Sequence, residues 1–207
     1  MTYTKTPVTL AQIDPLCRKF GMDRLLASIF VRRGITRNED LLYFLEDDIR
    51  FEHNPFLFSQ MEDAVDRILS ALEEGEKVLI FGDRDVDGIT STAILFRQLK
   101  SMGLDVTWRL PVAEEAYGLS MDAVDEFAKE NGTLIITVDC GISNNLEVNH
   151  AQELGIDVII TDHHNPPETT PNAVAVIDPK CPDSGYPFSG ISGAAVSYKL
   201  VSAMRFS

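Results

Sequence analysis

Apolar residues recur along this chain in two rhythms. Up to about residue 76 the spacing is helical. "DRLLASIFVRRG" places apolar side chains on one helical face and stops at Gly34. "TRNEDLLYFLED" opens with Thr36 as a candidate N-cap and Glu39 three positions on, the pattern of a capping box. "DIRFEHNPFLFSQ" reads as a connector, and "MEDAVDRILSALEEGE" (residues 61–76) as an amphipathic helix that ends near Gly75. From Lys77 onward short continuous apolar runs alternate with helical stretches. The runs are "KVLIFGD", "DVTWRLP", "TLIITVD", "DVIITDHH" and "AVAVID". Between and after them "ITSTAILFRQLKSMG", "SMDAVDEFAKENG", "NNLEVNHAQELG" and "SGAAVSYKLVSAM" read as helices. Strands that are apolar on both faces and alternate with helices predict an α/β fold: a parallel sheet with helices on both faces. A short helical N-terminal extension is expected over residues 1–60 and the α/β domain over 61–207.

Composition narrows the function classes. The 44% hydrophobic content is that of a globular chain. No apolar run approaches the ~18 residues of a membrane span. The start, "MTYTKTPVTLAQIDP", has neither the basic head nor the apolar middle of a signal peptide. Cys17, Cys140 and Cys181 are odd in number and form no CxxC, so neither a disulfide framework nor a zinc site is expected, and a reducing cytoplasmic setting is. The formal net charge is −14, and it is unevenly placed: residues 1–60 hold eight basic and eight acidic residues, residues 61–207 ten and twenty-four. Such a balance argues against a plain basic clamp on nucleic acid, but bound divalent cations would invert the local field.

The carboxylates have a pattern of their own. "FGDRDVDGIT" puts Asp83, Asp85 and Asp87 at alternate positions just after an apolar run. Asp139 closes "LIITV", and Asp162, His163 and His164 close "DVIIT". In an open parallel sheet all these strand ends lie on one edge, where ligands bind. Carboxylate oxygens with one or two imidazoles suit Mn²⁺ or Mg²⁺. Two such cations about 3.5–4 Å apart, bridged by a shared carboxylate, would clamp a phosphoryl group. Asp139, alone at the end of its strand, is the natural bridge. The helix expected to begin near Thr90 would turn its N-terminal amides into the same crevice, with the Thr90 and Ser91 hydroxyls available to phosphate oxygens. Taken singly, each signal has a plainer reading: a solvated or calcium-like acidic turn, a helix cap at Asp139, a surface loop at the paired histidines. Their coincidence at three strand ends favours the metal. Cys140 reads as a small buried residue, His53 and His150 as surface histidines, and Trp108 as core or edge packing rather than a platform for bases.

"GDRDVDGITSTAIL", "IITVDCGIS" and "VIITDHHNPP" resemble the first three motifs of the DHH phosphoesterase family. The flanks "RRGITRNEDLLYFL", "NPFLFSQMEDAVDRI" and "YPFSGISGAAVSYKL" resemble its branch of bacterial single-stranded-DNA-specific exonucleases. The resemblance covers about residues 15–205. It implies a metal-dependent phosphodiesterase that degrades single-stranded DNA from the 5′ end with Mn²⁺ or Mg²⁺ in repair and recombination, beside partners such as a single-strand-binding protein or a helicase. It further implies Asp83, Asp85, Asp87, Asp139 and His163 as metal ligands, His164 facing the scissile phosphate, and Asp162 orienting the pair from behind. Two departures stand out. No aspartate after His164 fills the family's fourth motif, since only Asp178 and Asp183 follow, and the family's second domain is not seen; a catalytic half of reduced activity is therefore expected. Glu114 and Glu115 stand where the family often carries a basic residue. A scaffold that binds single strands or partners without cutting them stays open, as does a phosphoesterase acting on short oligonucleotides. "DVDGIT" also resembles the DxDGT of haloacid-dehalogenase-type phosphatases, but Ile89 separates Gly88 from Thr90, and that family needs no histidine pair.

Overall fold

The computed structural model describes residues 4–112 and 115–206. Its contacts divide the chain into two compact units, Met1–His53 and Asn54–Ser207. The first is a small helical unit of α1 (Leu10–Phe20), α2 (Arg24–Arg32) and α3 (Asn38–Leu45) around Ile13, Leu16, Ala27, Phe30 and Leu41. Asp23 caps α2 by accepting the Leu26 N–H. Thr36 does not cap α3. That helix begins one residue later, after Arg37, and Glu39 pairs with Arg37 at 2.7 Å instead of closing a capping box.

The second unit opens with a 3-10 turn (Pro55–Leu57) and α4 (Met61–Glu74). On α4, Met61, Ala64, Val65, Ile68 and Ala71 are buried at helical spacing, and Gly75 ends the helix with a positive φ of 68°. There follow β1 (Lys77–Gly82), α5 (Val86–Met102), β2 (Asp105–Arg109), α6 (Met121–Lys129), β3 (Leu134–Val138), α7 (Asn145–Glu153), β4 (Asp157–Thr161), β5 (Ala175–Ile177) and α8 (Gly193–Phe206). The five strands form one parallel sheet in the order β2-β1-β3-β4-β5. Alternate residues serve opposite faces, as the two-residue period of a strand requires. Val78, Ile80, Leu134, Ile136 and Ile159 pack with α4, α5 and α8, while Leu79, Phe81, Ile135, Val158 and Ile160 pack with α6 and α7. Trp108, on the edge strand β2, is 55% exposed rather than packed in the core. Phe58 belongs to the first of these clusters and stacks on Tyr186 with ring centroids 4.0 Å apart. Among the described residues, no helix is long and apolar enough to cross a membrane.

The strand order changes direction between β1 and β3, and ligands of open α/β sheets bind outside the strand ends at such a point. Register makes this concrete. Gly82, Val138, Thr161 and Ile177 lie side by side across β1, β3, β4 and β5. The next residue on each strand is an aspartate: Asp83, Asp139, Asp162 and Asp178.

Candidate metal centre

Repulsion among these carboxylates is limited by the different work each one does. Asp162 is fully buried and fully engaged. One oxygen accepts the backbone N–H of His163 (2.7 Å), that of His164 (3.1 Å) and the His164 Nδ1–H (2.8 Å). The other accepts the Ile142 N–H at 3.0 Å. It therefore holds the backbone of both histidines and the ring of His164 from behind. His163 donates its Nδ1–H to the Ile191 carbonyl at 3.1 Å, which fixes the tautomer and leaves Nε2 to face Asp139 Oδ1 at 3.1 Å.

Asp139 is the pivot. It is 1% exposed, takes a left-handed φ of 60°, and its Oδ1 accepts no hydrogen bond among the described residues. Burial, with the charges of Asp87 and Asp85 added, pushes its pKa up to about 7. Ligand atoms of Asp83, Asp85 and Asp139 all lie within 4.8 Å of one another, and so do those of Asp139, His163 and His164. One carboxylate thus serves two neighbouring groups. A buried, orphaned anionic oxygen shared in this way fits a divalent cation, and oxygen donors with imidazole fit Mn²⁺ or Mg²⁺.

The backbone is built to bring these groups close. Asp85 is the N-cap of α5 and accepts the N–H groups of Asp87 (2.9 Å) and Gly88 (3.0 Å). A Cβ at Gly88 would fall 2.4 Å from the Asp83 carbonyl oxygen, and one at Gly193 would fall 2.4 Å from Asp139 Oδ1. Only glycine allows α5 and the start of α8 to approach the carboxylates so nearly.

Asp87 lies at the same edge, its Oδ2 3.6 Å from His163 Nε2, and its two oxygens also accept the Gly193 N–H at 2.8 Å and the Ala194 N–H at 2.7 Å, so it holds the first turn of α8 as well. Two other expected site residues are placed differently. The helix carrying Thr90 and Ser91 starts at Val86, not near Thr90, because Asp85 caps it. Thr90 therefore lies inside the helix, its hydroxyl donating to the Val86 carbonyl at 2.6 Å, and Ser91 is buried, with a hydroxyl that meets no partner among the described residues.

Sequence reasoning passed over Tyr117. Its hydroxyl donates to the Asp139 carbonyl at 2.9 Å and lies 3.0 Å from His164 Nδ1. Burial and the nearby Asp162 raise its pKa, so it stays a neutral phenol. It joins the strand ends of β3 and β4 and, with Asp162, holds His164 by one ring nitrogen. Burial disfavours the charged imidazole of His164, but the hydrogen bond and charge of Asp162 outweigh this and raise its pKa. Glu115 is occupied by Arg109 and the Val112 N–H, each at 2.7 Å, whereas Glu114 lies outside the described residues. Cys140 is fully buried and its thiol pKa is raised by burial, which keeps it a packing residue. His150 pairs with Asp125 at 2.7 Å.

The chain is similar in sequence and fold to known proteins. The family model for the DHH family, N-terminal domain, matches residues 77–207. The chain is 37% identical over 194 residues to the single-stranded-DNA-specific exonuclease RecJ of Bacillus subtilis, a match covering 93% of this chain and 25% of that protein. With RecJ of Escherichia coli it shares 36% over 183 residues, covering 87% and 31%. Among solved structures, RecJ from Thermus thermophilus in complex with Mn²⁺ superposes with a TM-score of 0.74 at 32% identity, over 96% of this chain and 28% of that one. Exonuclease RecJ bound to manganese gives 0.66 at 38% identity, over 72% and 38%. The chain spans between a quarter and a third of the length of the curated relatives it matches.

Proposed function

The chain belongs to the DHH family, and on that premise we propose that it carries the metal centre of a single-stranded-DNA-specific exonuclease of RecJ type, acting from the 5′ end in repair and recombination. The observation that carries this reading is the sharing of Asp139 between two ligand groups at the strand switch. In this reading Asp83, Asp85, Asp139 and His163 hold Mn²⁺ or Mg²⁺. Bound there, such cations supply Lewis acidity and charge neutralisation to a phosphodiester. His163 offers Nε2 because Ile191 holds its other nitrogen. His164 presents its remaining nitrogen to the phosphate, with Asp162 and Tyr117 fixing the ring. Asp87, with Oδ2 3.6 Å from His163 Nε2, lends its charge to the same cluster and holds α8 against the site. A cytoplasmic setting and contact with DNA-repair proteins go with this reading.

The test separates binding from chemistry. Mn²⁺ should raise the melting temperature of the wild type by mass action, and Asp139→Ala should abolish the rise. His164→Ala should keep most of the Mn²⁺ stabilisation and lose at least tenfold in release of mononucleotides from 5′-labelled single strands, because its effect falls on turnover. Equal calorimetric Mn²⁺ binding by wild type and Asp139→Ala would refute the shared-ligand reading. Loss of Mn²⁺ by His164→Ala as complete as that of His163→Ala would refute the division between the two histidines.

A further inference from the structure

A groove of about 220 Å³ runs between α5 and the edge strand β2, walled by Ile89, Thr92, Leu110, Trp108 and Arg97 among others. It adjoins the metal centre directly. A Cβ on Gly82, the residue before Asp83, would lie 2.1 Å from Thr92 Oγ1 and 3.0 Å from Leu110 Cδ2, so two groove walls close on that strand end. The Ile89 N–H donates to the Asp85 carbonyl at 2.9 Å. Trp108 pairs in register with Ile80, three residues below Asp83, which puts it roughly 10 Å from the carboxylates at a strand rise of ~3.3 Å per residue. The volume is below the ~300 Å³ at which pockets enclose a whole drug-sized ligand, and suits a flat ring inserted from one side.

The charge of the groove is as telling as its shape. Residues 61–207 are strongly acidic, and their other arginines that are described make hydrogen bonds or ion pairs. Arg97 makes neither among the described residues. An exposed indole face beside an uncommitted guanidinium, one step from a phosphate-binding centre, is the combination by which proteins hold single-stranded nucleic acid without reading its sequence: the ring stacks a base and the cation meets the backbone. We propose that this groove is a nucleobase subsite, with Trp108 stacking a base of a nucleotide next to the scissile phosphate and Arg97 pairing with the backbone beside it. The proposal rests on the single-strand reading above and adds a place where the strand is gripped.

Trp108 is the only tryptophan in the chain, so its fluorescence reports on the groove alone. The chain with Mn²⁺ is titrated with a nuclease-resistant phosphorothioate oligothymidylate and with an abasic strand of equal length. Trp108 emission is followed together with the anisotropy of a dye on the strand. The thymidylate should quench the emission and bind about tenfold more tightly than the abasic strand, which should leave the emission unchanged. Trp108→Ala should remove that tenfold preference without lowering the melting temperature, since the side chain is more than half exposed, and Trp108→Phe should restore most of it. Tight strand binding with unchanged emission, and with full affinity in Trp108→Ala, would overturn the subsite and leave the exonuclease reading standing. No binding of either strand by either signal would remove both. A blue shift that grows with protein concentration in the absence of DNA would overturn the subsite in favour of a contact between copies.

Discussion

Asp178 is a buried carboxyl whose Oδ1 accepts the Lys180 N–H at 2.8 Å, while its Oδ2 accepts no hydrogen bond among the described residues. Burial raises its pKa, the Lys180 N–H pulls it back, and the charge of Asp162 adds to the rise, leaving it at about 6 against an ordinary 3.8. The folded state therefore binds this proton more tightly than the unfolded chain does. Its contribution is fully present below pH 3.8 and is lost as pH rises through about 6, a change of up to about 3 kcal/mol. In chelator, Asp178→Asn should flatten that part of the stability curve, gaining on the wild type between pH 4 and pH 7; parallel melting curves across this range would show that Asp178 does not titrate with folding. In the sequence Asp178 stands out only as leaving the family's fourth motif unfilled, although it closes "AVAVID". Its place in the row with Asp83, Asp139 and Asp162 exists only once the strands are in register. Asp87 is illegible in another way. Alternate spacing suggests three equivalent carboxylates, but the helix begins at Val86, so Asp87 sits in its first turn, where it faces His163 Nε2 at 3.6 Å and also holds the head of α8. Tyr117 sits in a loop with no periodic signal at all.

At the scale of elements, most of the unit from Asn54 onward is legible in the sequence. Apolar runs of five or six residues bounded by polar ends give β1, β3 and β4, and glycines with positive φ close α4 and α5 where the pattern stops. Helix starts are less legible, because a cap is a hydrogen bond rather than a periodicity. Thr36 looks like a cap and is not one, while α8 borrows part of its cap from another element altogether. Asp87 accepts the two N–H groups at the head of α8, where the helix dipole also favours a negative charge. Asp87→Ala should therefore cost about 1–3 kcal/mol, even though it removes a charge near Asp139. Thermal melting in chelator measures this; a variant as stable as the wild type would mean that relief of repulsion offsets both bonds.

For the whole molecule the governing quantity is charge. The excess of carboxylates in residues 61–207 stores self-repulsion that monovalent salt screens, the Debye length falling from about 30 Å at 0.01 M to about 8 Å at 0.15 M. Without divalent ions the melting temperature should rise with NaCl over this range. A fall would mean that ion pairs such as Arg67 with Glu76 and Asp157, at 2.7 and 2.6 Å, outweigh the net charge. The hold of α8 on Asp87 also bears on the order in which the molecule is made. The bonds from Asp87 to Gly193 and Ala194 span more than a hundred residues, and the carbonyl that fixes His163 belongs to Ile191. A nascent chain that has reached residue 190 already contains Asp83, Asp85, Asp139 and His163 but lacks the clasp that sets them. Ion capture during synthesis is thus expected to wait until the residues that form α8 have left the ribosome.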